Sequence, residues 1–217
     1  MMIDYSQVTF AVGRQSATGI EPLGTAFAVG PRKLATAFHV TGARDDGLVI
    51  IMPRFKSIAE YQDTTDQQVR MLTVTIAAAN PVRDLCVLEL PENATLQFSY
   101  SLAGADLVPP GASIVTLGFP HLNFGRMILT QQRAHVGARV LIANESVKSK
   151  HIVLNTQARE GQSGGPVFDA SMTQIVAVLI GSYAPGGGGG ISLGGVDPAT
   201  LHQTTHAISA EYVSEML

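Results

Sequence analysis

The sequence predicts an all-β chain divided into two strand-rich units. Short runs rich in β-branched and aromatic residues recur along its length, most of them bounded by Gly, Pro, Asn or Asp. No amphipathic stretches of about 10–15 residues intervene, so βαβ units and a parallel sheet are not expected. A looser run, "ATLQFSYSLAGADLVPPGA", parts the early strands from the late ones. Many short strands at close spacing point to barrels or a sandwich.

In chain order the strand candidates are "GTAFAVG", "KLATAF", "LVIIMP", "LTVTIAA", "LCVLEL", "SIVTLGF", "HIVLNT", "GPVFD" and "IVAVLIGSY". In "LTVTIAA", Leu72, Val74 and Ile76 share one face and Thr73 and Thr75 the other. "LATAFHV" reads as a strand that delivers His39 at its end. We place a first unit at residues 1–95, a linker at 96–111 and a second unit at 112–208. "AEYQDTTDQQ" reads as an exposed polar loop, and "APGGGGGISLGG" as a mobile one. A short helix closes the chain over 209–217. Ser209 is its expected cap, Glu211 suits its first turn, and Tyr212, Val213 and Met216 can pack inward.

Composition narrows the function classes. With 14 basic and 17 acidic residues the net charge is −3, so neither nucleic acid nor an anionic membrane is indicated as a partner. Cys86 is the only cysteine, which rules out an intrachain disulfide and a cysteine-based structural zinc site. The first residues, "MMIDYSQVTF", lack the basic and apolar regions of a secretory signal. The aliphatic run from Ile175 to Ile180 is too short to span a bilayer. A cytoplasmic location is expected, with no metal and no cofactor.

The chemistry is carried by "EGQSGGPVF". Glycines weaken a helix or strand, so a serine set among three of them reads as a tight turn. Such a turn can hold a nucleophile and leave bare N–H groups beside it. A serine hydroxyl needs a base to take its proton and an acid to orient that base. His39 in "TAFHV" and Asp84 in "RDLCVLEL" supply both types, in the order His, Asp, Ser. Asp45 and Asp46 read as exposed turn residues instead.

"TAFHV", "DLCVLEL" and "GQSGGPVF" together resemble the motifs of the trypsin-like (chymotrypsin-fold) serine proteases. The histidine motif is similar to the family's Thr-Ala-Ala-His, with Phe38 at the second alanine. "PPGASIVTLGFP", "HIVLNTQAREGQSGGPVF" and "HAISAEYV" are similar to the HtrA-like bacterial branch, and no PDZ domain is expected to follow. The resemblance implies two antiparallel six-stranded β-barrels with the site between them, acting on a protein or peptide substrate. It implies His39, Asp84 and Ser163 as the triad and the N–H groups of Gly161 and Ser163 as the oxyanion hole. The α/β-hydrolase elbow Gly-x-Ser-x-Gly also fits "GQSGG", but that fold requires a helix after the serine and a later His and Asp. Proline and another strand follow here. A catalytically silent binding module on the same barrels is the alternative from another class.

Two departures from the family matter. Gln162 stands where secreted relatives carry the aspartate that pairs with a processed N-terminus, so that switch is not expected. Gln157, six residues before the serine, replaces the acid of enzymes that cut after Lys or Arg. Ile180, Gly181 and Ser182 are expected to line the substrate; His206 reads as a surface or packing histidine, with a place near the back of the pocket as the alternative. A regulatory protein partner is a further expectation.

Overall fold

The computed structural model describes residues 5–66, 68–183 and 204–217. The glycine-rich segment at 184–195 and His202 lie outside them. The first sheet runs β5-β4-β1-β2-β3-β7-β6. Its strands are β1 (Thr9–Ser16), β2 (Gly19–Ala28), β3 (Lys33–Ala37), β4 (Leu48–Ile51), β5 (Met71–Thr73), β6 (Thr75–Asn80) and β7 (Leu85–Glu89). All its pairings are antiparallel. The two edges, β5 and β6, are successive halves of the expected "LTVTIAA" strand, parted at Val74. Val74 is buried and its N–H bonds to Leu48 O at 3.1 Å. One extended segment therefore supplies both edges and curls the sheet into a half-barrel, with no β5–β6 pairing among the described residues to close it.

The second sheet runs β12-β9-β10-β11-β14-β13-β8. Its strands are β8 (Ser101–Leu102), β9 (Ser113–Gly118), β10 (Thr130–Asn144), β11 (Val147–Leu154), β12 (Pro166–Asp169), β13 (Gln174–Tyr183) and β14 (Thr204–Ser209). A further β12–β13 pairing closes six of these strands into an antiparallel barrel, and β8 adds to β13 in parallel. The fold is therefore all-β and chymotrypsin-like, as the motifs implied. The linker expected over 96–111 contains β8 and a 3-10 turn at Ala105–Leu107.

Burial explains why two sheets hold together. Four of the five residues of β7 are buried, so the strand is covered on both faces. The first barrel's core, with Phe10, Phe27 and Leu88, is continuous with Phe168, Ile175 and Val178 of the second. A separate cluster around Ile114, Ile152 and Val176 fills the second barrel. Burying such side chains stabilises by roughly 1.5–3 kcal/mol each.

Two local expectations need correction. The strand carrying "LATAF" stops at Ala37, and His39 sits in a one-turn helix, α1 (Phe38–Thr41). The closing helix is only α2 (Glu211–Ser214), and Ser209 does not cap it. Ser209 ends β14, and its hydroxyl instead accepts the Ala105 N–H at 2.9 Å. Tyr212 and Val213 are buried as expected, and Met216 is partly so. No described helix is long and apolar enough to cross a membrane.

Candidate active site

Asp84 occupies the turn between β6 and β7 with φ 55°, a left-handed value that aspartate tolerates better than most residues. The turn is held from several sides. Asp84 N donates to Pro81 O, and Asp84 O accepts Phe38 N–H at 3.0 Å. The preceding Arg83 stacks over the Tyr212 ring at 4.1 Å and pairs with Glu215 at 2.7 Å. Asn144 of β10 donates to Val82 O at 2.9 Å. Both the closing helix and the second barrel thus brace the acid.

The carboxylate holds the histidine twice. Its Oδ1 accepts the His39 backbone N–H at 2.8 Å, and its Oδ2 lies 2.6 Å from His39 Nδ1. A carboxylate acceptor places the proton on Nδ1 and leaves the Nε2 lone pair available. Asp45 and Asp46 lie elsewhere: Asp46 is exposed and pairs with Arg44.

Ser163 sits on a turn that runs against the first barrel. Thr25 of β2 donates its N–H to Ser163 O at 2.8 Å and its hydroxyl to Gly161 O at 2.7 Å. Thr36 in turn donates its hydroxyl to Thr25 O at 2.7 Å. Glycine is needed here for two reasons. Gly164 has φ +83°, and a Cβ on it would lie 2.2 Å from both Thr25 O and Thr36 Oγ1. Gly161 has φ +94°, and a Cβ there would lie 2.2 Å from Phe119 O. Thr25 and Thr36 were not singled out from sequence, because threonine in a strand is ordinary and their partners are distant.

The orientation of the turn is fixed as well. Glu160 O accepts the His121 N–H at 2.7 Å. In a trans peptide the next N–H points the opposite way, so that of Gly161 is turned away from His121. Among the described residues, neither the Gly161 nor the Ser163 N–H is spent on another hydrogen bond. Gln162 is buried, and its side chain closes the turn by accepting Arg159 N–H at 2.7 Å. Its own N–H returns to Arg159 O at 3.1 Å. This neutral clasp stands where secreted relatives would hold an ion pair.

His39 and Ser163 line one cleft of about 270 Å³ with Pro22, Leu23, Leu122, Glu160 and Gly161. The Ser163 hydroxyl donates to Ile180 O at 3.0 Å, and no described hydrogen bond joins it to His39. A turn about χ1 must precede any handover of its proton to the imidazole.

The expected substrate-lining residues fall into two groups. Ile180 and Gly181 flank the serine, and a Cβ on Gly181 would lie 3.5 Å from its Oγ. They line a hollow of about 360 Å³ with Asp84, His151 and His206. Ser182 follows along the same strand, pairing with Thr205. Gln157 is half-buried one residue before Ala158, whose N–H bonds to Thr205 Oγ1 at 2.8 Å. His206 pairs with Gly181 in β14, and desolvation by burial lowers its pKa. His151 was not singled out from sequence. Burial chiefly, aided by repulsion from His206 and opposed by Asp84, lowers its pKa to about 4. Among the described residues no group of three or more His, Cys, Asp or Glu side chains is placed to hold a metal ion.

The sequence family described as the trypsin-like peptidase domain matches residues 24–178. Among solved structures, the chain is similar to the apo MamO protease domain from Magnetospirillum magneticum. That likeness has TM-score 0.68 and 14% identity, and covers 98% of this chain and 97% of that one. The active form of the Rv3671c protease from M. tuberculosis matches with TM-score 0.63 and 17% identity, over 98% and 80% of the two chains. The HtrA-type protease AlgW, solved with a decapeptide, matches with TM-score 0.65 and 14% identity, over 97% and 63%. No curated protein sequence matches. At these identities the structural likeness carries the fold.

Proposed function

The chain belongs to the trypsin-like peptidase family, and from that premise we propose that it is a serine endopeptidase working through Ser163, His39 and Asp84. The observation that carries the proposal is the doubly bonded Asp84–His39 pair facing the same cleft as a glycine-turn serine. Ser163 Oγ attacks the carbonyl carbon of the scissile bond as its proton passes to His39 Nε2. The oxyanion is stabilised by the N–H groups of Gly161 and Ser163, donors worth roughly 3–4 kcal/mol in such a transition state. His39 then gives the proton to the leaving nitrogen and the C–N bond breaks, leaving an acyl ester on Ser163. Water, deprotonated by His39, attacks the ester, releases the acid and returns the proton to Ser163. Asp84 keeps the imidazole oriented and stabilises its charged form.

The acyl half of the substrate is assigned to the edge of β13 at Ile180, Gly181 and Ser182. That edge continues past β12, whose pairing ends at Val178, so an extended peptide can add there by β-augmentation. Gln157, uncharged, offers no carboxylate for a lysine or arginine side chain.

Labelling by a fluorophosphonate tests the reading. We expect Ser163 to be modified and both Ser163→Ala and His39→Ala to abolish peptide cleavage, since triad members act as a unit. Comparable turnover by Ser163→Ala refutes the assignment. The bond from Ser163 to Ile180 O favours one second reading, a catalytically silent module on the same barrels. That reading requires no labelling of the intact chain.

A further inference from the structure

We propose that a trough leading away from Ser163 toward Phe124 and Val69 receives the part of a peptide that follows the scissile bond, and selects apolar side chains there. The proposal rests on the endopeptidase reading above. Pro22 and Leu122, which wall the cleft at Ser163, also wall a hollow of about 700 Å³. That hollow continues over Ile20, Ile51, Val69, Phe124 and Met127. Shared walls make the two one continuous trough, and its far part is larger than the cleft itself.

Direction follows from which side of the serine is already assigned. β13 flanks Ser163 at Ile180 and Gly181 and would hold the acyl half. Neither residue lines the cleft of Pro22 and Leu122, which opens on the other flank. An extended chain crossing Ser163 therefore leaves over Pro22 and Leu122 and enters the trough.

Chemistry decides the selectivity. Phe124 is 77% exposed and Val69 44% exposed, although both are large apolar side chains lining one hollow. Exposed apolar surface gathered in a concavity marks a binding site. The charged residues of its wall, Arg54, Arg126, Asp63 and Asp66, sum to no net charge, and Arg54 pairs with Asp66 at 2.8 Å. The trough is also preformed. The Gln62 side chain donates to Leu129 O and accepts Leu129 N–H, each at 2.8 Å, which ties the first unit's loop to the second barrel. A loop expected from sequence to be merely polar and exposed is thus fastened as one wall of a groove.

The test uses peptides with one fixed acyl half and two kinds of leaving half, one rich in Leu, Val and Phe and one rich in Gly, Ser and Asn. Cleavage by the intact chain gives kcat/KM, and fluorescence anisotropy gives binding to Ser163→Ala. Apolar leaving halves should be cleaved and bound roughly tenfold better, the equivalent of one well-buried side chain. Combining Phe124→Asp with Val69→Asp should abolish that ratio. Equal kcat/KM and equal binding for both leaving halves overturn the proposal, as does a preference that survives the double substitution. Binding selectivity without any cleavage keeps the trough and discards the endopeptidase reading. Cleavage without leaving-side selectivity does the reverse.

Discussion

Gln162→Ala is the most informative single change, because it separates the order of the oxyanion turn from the triad. Gln162 is 5% exposed, and its Oε1 accepts the Arg159 N–H at 2.7 Å. Truncation removes one hydrogen bond, worth about 1 kcal/mol net, and one buried methylene, worth about 0.8 kcal/mol. A stability loss of about 2 kcal/mol is therefore expected. The turn keeps its other ties: His121 N to Glu160 O, Thr25 Oγ1 to Gly161 O and Gly165 N to Gln162 O. Complete loss of an oxyanion donor costs roughly 10²–10³ in kcat. With those ties intact, a fall of about tenfold is expected, in kcat rather than KM. Urea unfolding and turnover of a small activated ester measure the two quantities. A variant that loses the stability but retains kcat within about twofold would falsify the view that this clasp orders the oxyanion donors.

Gln162→Glu sharpens the same test through pH. The variant keeps the acceptor atom but can ionise. Burial favours the neutral acid, so its folded pKa lies above the unfolded value of about 4.3. The acid's contribution to stability is then present below about 4.3 and lost as pH rises through the folded pKa. Near pH 5 the variant should resemble the parent, and by pH 8 it should be both less stable and slower. Indifference to pH would mean that the carboxylate finds a cation, as in relatives with a processed terminus.

Other outcomes follow from the geometry. Cys86 is buried, and burial chiefly raises its thiol pKa, so iodoacetamide should leave peptide cleavage intact; rapid inactivation with Cys86 modified contradicts this. His151 has a buried Nδ1 without a hydrogen-bond partner among the described residues and a folded pKa of about 4, below its ordinary 6.5. Its contribution to stability is full above pH 6.5 and lost on descending toward 4. After allowing for partial exposure, that is about 1–2 kcal/mol, and His151→Asn should flatten the profile of urea midpoints over this window. Gly164→Ala combines a left-handed φ with backbone contact at 2.2 Å, so it should destabilise by about 3 kcal/mol or more. A melting temperature close to the parent's would show that the turn is not packed against β2 as described.

How much of this could be read from the residues depends on how local each signal is. His39, Asp84 and Ser163 stood out because each lies in a short motif of small or apolar neighbours. The nine strand candidates left out β1, β8, β10 and β14, of which β10 and β14 are the most instructive. β10 spans fifteen residues but turns Gln131, Arg133 and His135 outward, which dilutes its apolar pattern. β14 buries Thr205 and Ser209, whose hydroxyls are satisfied by Thr156 and Ala105, far away in the chain. Nothing nearby marks them as interior. The same reason hid what orders the site. Gln162 was visible as a missing charge, but not as a clasp on Arg159. Arg83 was not singled out from the sequence, yet Tyr212 and Glu215 hold it from the other end of the chain. The candidate reacting groups were therefore legible while their restraints were not, since a restraint is defined by its partner. An intact motif alone does not distinguish a working site from an idle one. That difference lies in the restraints, and Gln162 is where it can be measured without touching the triad.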